Sequence, residues 1–209
     1  MAPFFGNYMT KHFEASSVTT SFNRPLRGLV GDIGGTNARF AIAERREGKT
    51  SLTSFKSLET AEHKDVYKAL AAYFDMIGGK PELDYTCVAV AGPVKNGHIK
   101  FTNLDWEVEE GLLAKATGAR RARLINDYAG LAFALPHLEE GDTKCIGPVK
   151  SGFGDVHAVM GAGTGFGASV LVGGEFGPYC LSTESGHISF APVNDYESEI
   201  LRFLRKKHG

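Results

Sequence analysis

Disulfide chemistry, one-sided charge and long apolar runs are all missing from this sequence. Its 209 residues hold three cysteines (Cys87, Cys145 and Cys180), far apart and odd in number. That pattern excludes a disulfide framework and fits free thiols in a reducing cytoplasm. Lys and Arg number 23 against 24 Asp and Glu, a formal net charge of −1. Such balance lacks the basic footprint of a nucleic-acid binder. No stretch approaches the roughly 18 consecutive apolar residues expected of a membrane-spanning helix. With 43% hydrophobic and 22% charged residues, the composition is that of a folded globular chain. A domain of this size buries roughly 70% of its unfolded surface, so it needs neither metal nor disulfide to fold.

What is abundant is glycine, 26 residues gathered in a few loops between apolar runs. Glycine there either adopts a left-handed backbone or lets a ligand approach the main chain. Residues 1–27 carry no periodicity, are rich in Ser and Thr, and include Glu14 as their only acid. With only Arg24 and Arg27 they lack the several arginines of an organelle transit peptide, so a flexible leader, or an upstream start codon, is expected.

From Gly28 onward, apolar strands and glycine turns alternate. Gly34-Gly35 between two β-like runs reads as a hairpin. Val66, Leu70, Tyr73, Phe74 and Ile77 predict an amphipathic helix over 61–78. Thr86–Ala91 reads as a buried strand, Asn96-Gly97 as a turn before Ile99–Phe101, and Arg121–Ile125 as another strand. A helix over Ala129–Leu135 is closed by Pro136. Val156–Met160 and Ala168–Val172 read as strands around Gly161–Gly167, and Glu197–Lys207 as a helix with Ile200, Leu201, Phe203 and Leu204 on one face. The order indicates an α/β class. The strand–glycine turn–strand unit at Gly34-Gly35-Thr36 recurs 128 residues later at Ala162-Gly163-Thr164. Two similar halves, each presenting a hairpin to a shared cleft, would produce that echo.

Glycine loops hold phosphates because bare N–H groups converge on the oxygens. A P-loop fails, because Gly48-Lys49-Thr50 lacks the earlier glycine. Gly163-Thr164-Gly165-Phe166-Gly167-Ala168 fits a loose dinucleotide fingerprint, but strand-like residues follow where a helix is required. The third arrangement has both hairpins grip a nucleotide from opposite sides. Thr36 or Thr164 then bonds a phosphate oxygen, and Asp32 holds a hydrated Mg²⁺, since a carboxylate beside phosphate needs a cation between them. Asp127, at a strand-to-helix junction, is the candidate general base for transfer to a hydroxyl. Asn126 or Asp127 could instead serve only as a helix N-cap.

These segments carry a specific resemblance. Leu29-Val30-Gly31-Asp32-Ile33-Gly34-Gly35-Thr36-Asn37-Ala38-Arg39 resembles the first phosphate motif of bacterial-type glucokinases, in the hexokinase–actin–Hsp70 superfamily. Leu124-Ile125-Asn126-Asp127-Tyr128 is similar to that family's sugar and catalytic segment, and Gly161-Ala162-Gly163-Thr164-Gly165 to its second phosphate motif. Glu184-Ser185-Gly186-His187 resembles the second sugar segment, and Thr102-Asn103-Leu104-Asp105-Trp106 a segment lining the sugar side.

The resemblance implies an actin-like, ribonuclease H-like ATPase fold with two lobes, 28–137 and an incomplete 138–209. It implies ATP-dependent phosphorylation of glucose, with ATP and Mg²⁺ and no nucleic-acid or membrane partner. Gly31 through Asn37 (Gly31, Asp32, Ile33, Gly34, Gly35, Thr36, Asn37) with Gly161, Gly163, Thr164 and Gly165 would hold the nucleotide. Asn103, Asn126, Asp127, Glu184 and His187 would hold sugar hydroxyls, which suit groups that both donate and accept. A zinc reading of Glu184 and His187 lacks further ligands nearby. Related sugar kinases and repressors usually carry a cysteine-rich loop after that histidine, and no cysteine follows His187. The family is about half as long again as this chain, so a fragment with little turnover is expected. A sugar sensor without catalysis is the alternative, and oligomeric state is open, a homodimer included.

Overall fold

The computed structural model describes residues 25–139, 141–147, 155–162, 165–174 and 177–209. The predicted leader and the Gly163-Thr164 pair therefore fall outside the described residues, apart from Pro25, Leu26 and Arg27.

β1 (Leu26–Ile33) and β2 (Asn37–Arg46) pair antiparallel through the Gly34–Thr36 turn. β2 returns into β3 (Lys49–Glu59) through Glu47 and Gly48, both at positive φ (48° and 80°). A two-residue hairpin loop with both φ positive matches the right-handed twist of its strands. The Gly48-Lys49-Thr50 triplet is this turn and the strand it starts. β3 was not foreseen. Its Thr, Ser and Lys residues lie exposed along the sheet edge, with Leu58 alone buried, so no burial periodicity marks it.

A short 3₁₀ turn (Thr60–Glu62) leads to α1 (Val66–Met76), shorter than the expected 61–78. Asp65 stops it at the front, its carboxylate accepting the Lys68 amide at 2.8 Å. Gly78 and Gly79, at φ 86° and 122°, end it behind. β4 (Tyr85–Val90) follows, then the small hairpin β5 (His98–Lys100) and β6 (Glu107–Glu109), α2 (Glu110–Thr117), β7 (Arg121–Asn126) and α3 (Asp127–Ala134). The main sheet has the order β3-β2-β1-β4-β7, with β1, β4 and β7 mutually parallel.

One face of that sheet forms the core. Leu29, Ile33, Phe40, Val88 and Val90 meet Val66, Leu70 and Tyr73 of α1 and Leu113 of α2. α3 takes the other face, where a side chain on Gly130 would meet Ala89 and Ile125 at 3.6 Å. α3 also packs on the second sheet, an antiparallel meander of β8 (Val156–Ala162), β9 (Phe166–Val172) and β10 (Tyr179–Thr183). Ser169 and Leu171 of β9 are fully buried, whereas Val156, Met160, Tyr179 and Leu181 are exposed. The strand that follows Gly167 removes the dinucleotide-loop reading, which requires a helix there. α4 (Asp195–His208) has no buried residue, and its predicted apolar face leaves Phe203 and Leu204 exposed. No described helix is long and apolar enough to cross a membrane.

Tyr73 is the largest fully buried side chain, stacked obliquely between Phe40 and Phe74 at 5.4 and 5.5 Å, its hydroxyl donating to the Ser54 carbonyl at 3.1 Å. Burial pushes its phenol up to about 12. A raised folded value means the stabilisation is whole below the unfolded value of about 10 and is lost as pH rises toward the folded one. Urea unfolding at stepped alkaline pH should therefore show a smaller fall in stability for Tyr73→Phe than for wild type. An unchanged slope would contradict this assignment.

Candidate active site

Parallel pairing brings three strand ends level. Ile33 of β1 is in register with Val90 of β4, and Val90 with Asn126 of β7. The segments that follow, Gly34–Thr36, Ala91-Gly92 and Asp127, therefore emerge on one edge of the sheet. In open α/β sheets this carboxyl edge is where ligands bind.

At the third strand end, Asn126 is the N-cap of α3. Its Oδ1 accepts the Tyr128 and Ala129 amides at 3.0 and 3.3 Å. Its Nδ2 donates to Asp127 Oδ1 at 2.9 Å and to the Gly92 carbonyl at 3.4 Å. Asp127 Oδ1 also receives the Tyr128 amide at 2.9 Å. One carboxylate oxygen is thus fixed by two donors, while Oδ2 has no hydrogen-bond partner among the described residues. Capping belongs to Asn126, and Asp127 keeps an oxygen available for chemistry. Both polar atoms of Asn126 are already engaged, so any sugar hydroxyl it holds shares them.

The first hairpin is divided in its roles. A side chain on Gly31 would reach to 2.9 Å from the Phe40 ring, and Ile33 is fully buried with its carbonyl bonded to the Ala91 amide at 3.1 Å. Both serve the core. Asp32 faces outward and pairs with its cross-strand partner Arg39 at 2.8 Å, both about half exposed. At the tip, Thr60 binds the Gly35 carbonyl through Oγ1 at 2.8 Å and the Thr36 carbonyl through its amide at 2.9 Å. A trans peptide is planar, so fixing the Gly35 carbonyl toward Thr60 turns the Thr36 N–H the opposite way, outward. Neither Gly34 nor Gly35 has positive φ, and nothing lies within 4 Å of where a Gly35 side chain would start. Gly34 closes the turn, its amide donating to the Asn37 carbonyl at 2.9 Å; at Gly35 glycine answers no neighbour, and the amides of Gly35 and Thr36 have no hydrogen-bond partner among the described residues. Asn37 sits at the base of the hairpin, its Oδ1 near the Ser57 hydroxyl at 3.5 Å.

The second hairpin is tied to α3 by Tyr128, whose hydroxyl donates to the Gly161 carbonyl at 2.9 Å. Gly165 is exposed with open space at its Cα. The turn at Ser185–His187 packs on the start of β9, where a side chain on Gly186 would come within 2.9 Å of the Phe166 carbonyl. Glu184 and His187 flank that turn exposed, 3.8 Å apart. Asn103 is exposed in the loop between β5 and β6, near the buried Trp106, with no hydrogen bond to the Asn126–Asp127 pair. Among the described residues, no group of three His, Cys, Asp or Glu is placed to hold a metal ion. Sequence reasoning missed the contacts of Thr60 and Arg39 and the bond from Tyr128 to the second sheet, because each is a tertiary contact with no local motif.

A mixed five-stranded sheet and a second antiparallel meander, joined through α3, make up a fold of the actin-like ATPase class. A family model described as Glucokinase matches residues 29–209. The chain belongs to the glucokinase family. It is 45% identical over 183 residues to a glucokinase from Caulobacter sp. strain K31, covering 87% of this chain and 55% of that protein. A solved glucokinase from an Antarctic psychrotroph is 35% identical with a TM-score of 0.74, over 87% of this chain and 57% of the other. The same fold recurs at 22% identity and a TM-score of 0.54 in a ROK family glucokinase from Streptomyces griseus, solved in complex with glucose and AMPPNP, with 82% and 53% of the two chains covered. The chain spans about half the length of the curated relatives it matches.

Because Asn126 satisfies two amides at the start of α3, Asn126→Ala should destabilise the protein by about 1 kcal/mol. Chemical unfolding measures it, and a variant as stable as wild type would show that the cap contributes nothing.

Proposed function

We propose that the full-length protein transfers the γ-phosphoryl group of ATP to glucose, giving glucose 6-phosphate, with Asp127 as general base. The observation that carries this reading is the Asp127 carboxylate, with Oδ1 held by two N–H donors and Oδ2 without a partner among the described residues, on the edge where the Gly35 and Thr36 amides also lie. A base so fixed accepts the proton of a sugar hydroxyl as the hydroxyl oxygen attacks phosphorus, and such bases contribute about 10²–10⁴-fold. Membership of the glucokinase family, and the glucose and AMPPNP bound by the Streptomyces griseus protein of the same fold, support the choice of substrates.

The amides of Gly35 and Thr36, together with the second hairpin, would hold the phosphates. Asp32 fits a magnesium ion. Its carboxylate is half exposed, Arg39 takes one oxygen, and a single carboxylate with phosphates and water is a donor set Mg²⁺ accepts. The ion, when bound, neutralises charge on the transferring group. Glu184, His187, Asn103 and the Asn126 amide would hold sugar hydroxyls. The lobes would divide near residue 137. Three described cysteines are free, which fits a cytoplasmic location.

In the full-length protein, Asp127→Asn should lower kcat by about 10²-fold or more with little change in glucose affinity. A coupled assay for glucose 6-phosphate and calorimetric titration with glucose measure the two effects. Near-normal kcat would move the base elsewhere. A wild-type protein that binds glucose but not Mg·ATP would be a sugar sensor, contrary to this reading.

A further inference from the structure

Gly161 and Gly167 are direct register partners across the β8–β9 ladder, so the sheet face toward α3 carries a gap two glycines wide. The Tyr128 ring fills it. A side chain on Gly167 would fall inside the ring, and one on Gly161 would lie 2.8 Å from the hydroxyl. The same hydroxyl donates to the Gly161 carbonyl at 2.9 Å. At its other end, the Tyr128 amide is bonded to Asp127 Oδ1 and to the Asn126 cap, at 2.9 and 3.0 Å. Strand glycines without positive φ mark a close approach by something else. Here that something is the residue next to the base.

We propose that Tyr128 is a positioning residue that locks the second glycine hairpin to the Asp127 end of α3, fixing the distance between phosphate clamp and base. This rests on the phosphotransfer reading above. Each end of the link is short and local. The amide end shares hydrogen bonds with Asp127 and Asn126, and the ring end occupies the space that side chains on Gly161 and Gly167 would take. A displacement of about 1 Å between reacting groups can cost 10²-fold in rate, so a rigid link between two sheets matters to turnover more than to ligand affinity. Asn126 and Asp127 would set the base, Thr60 would set the first hairpin, and Tyr128 would set the second hairpin relative to both.

The test uses the full-length protein with Tyr128→Phe, Tyr128→Leu and Tyr128→Ala, and with Gly167→Ala alone and combined with Tyr128→Ala. Coupled assays give kcat and KM, and thermal melts identify folded variants. Tyr128→Phe keeps the ring in its slot and should hold kcat within about 5-fold. Tyr128→Ala and Tyr128→Leu should lower kcat by about 10–100-fold, with glucose KM changed by no more than about 3-fold. Gly167→Ala should impair turnover strongly beside the ring and add little once Tyr128→Ala has removed it, a non-additivity expected of residues in contact. Folded Leu and Ala variants with wild-type kcat, or strictly additive effects of the pair, overturn the positioning role while leaving the phosphotransfer reading intact. Wild-type protein that phosphorylates no aldohexose overturns that reading and this inference with it.

Discussion

Three parallel strands that end level with one another are the constraint on which the site depends. Because Ile33, Val90 and Asn126 stand in register, the chain leaves the sheet three times at the same edge. A slip of one residue would turn every side chain of a strand to the opposite face. Such a slip is resisted by the core packed beneath, where Leu29, Ile33, Val88 and Val90 lie fully buried. The hydrophobic core and the chemical edge are thus one object seen from two sides. The alternation that buries Ile33 also points Asp32 outward.

On that edge, side chains hold the backbone in place. Thr60 fixes the carbonyls of the first hairpin and so presents its amides. Asn126 fixes the start of α3 and one oxygen of Asp127, the other having no partner among the described residues. The second meander repeats the plan of the first: β8, β9 and β10 pair as β1, β2 and β3 do, each antiparallel about a glycine hairpin. The strands that flank the two ends of the 128-residue echo thus pair by one plan. α3 packs between the second meander and strands β4 and β7 of the main sheet, and it bears the acid at its first residue.

The parts of this arrangement that follow local rules were legible in the sequence. Buried strands such as Tyr85–Val90 and the Asn96-Gly97 turn declared themselves by apolar runs and turn residues, and Asn96 and Gly97 indeed take φ of 52° and 71°. The Asn126-Asp127 junction was legible as a helix cap, and that role falls on Asn126, leaving Asp127 for the proposed role of base. β3 was illegible because an edge strand is held by its neighbour and needs no apolar face. α2 was hidden because Gly111 lies inside it and only Leu113 and Thr117 are buried. Contacts between distant residues left no trace. Nothing near Thr60 announces its hold on Gly35, and nothing near Gly161 and Gly167 announces an aromatic ring from residue 128. Gly31 and Ile33 lie within the phosphate-like motif, yet the core claims their side-chain positions.

The central claim is that the carboxylate on α3 and the two glycine hairpins address one reacting centre. A crystal structure of the full-length protein with glucose and a non-hydrolysable ATP analogue tests it most directly. The account predicts Asp127 Oδ2 within about 2.6–3.2 Å of the glucose hydroxyl that faces the γ-phosphate, with the amides of Gly35 and Thr36 turned to the phosphates. A sugar bound away from Asp127, or phosphates bound away from both hairpins, would contradict it.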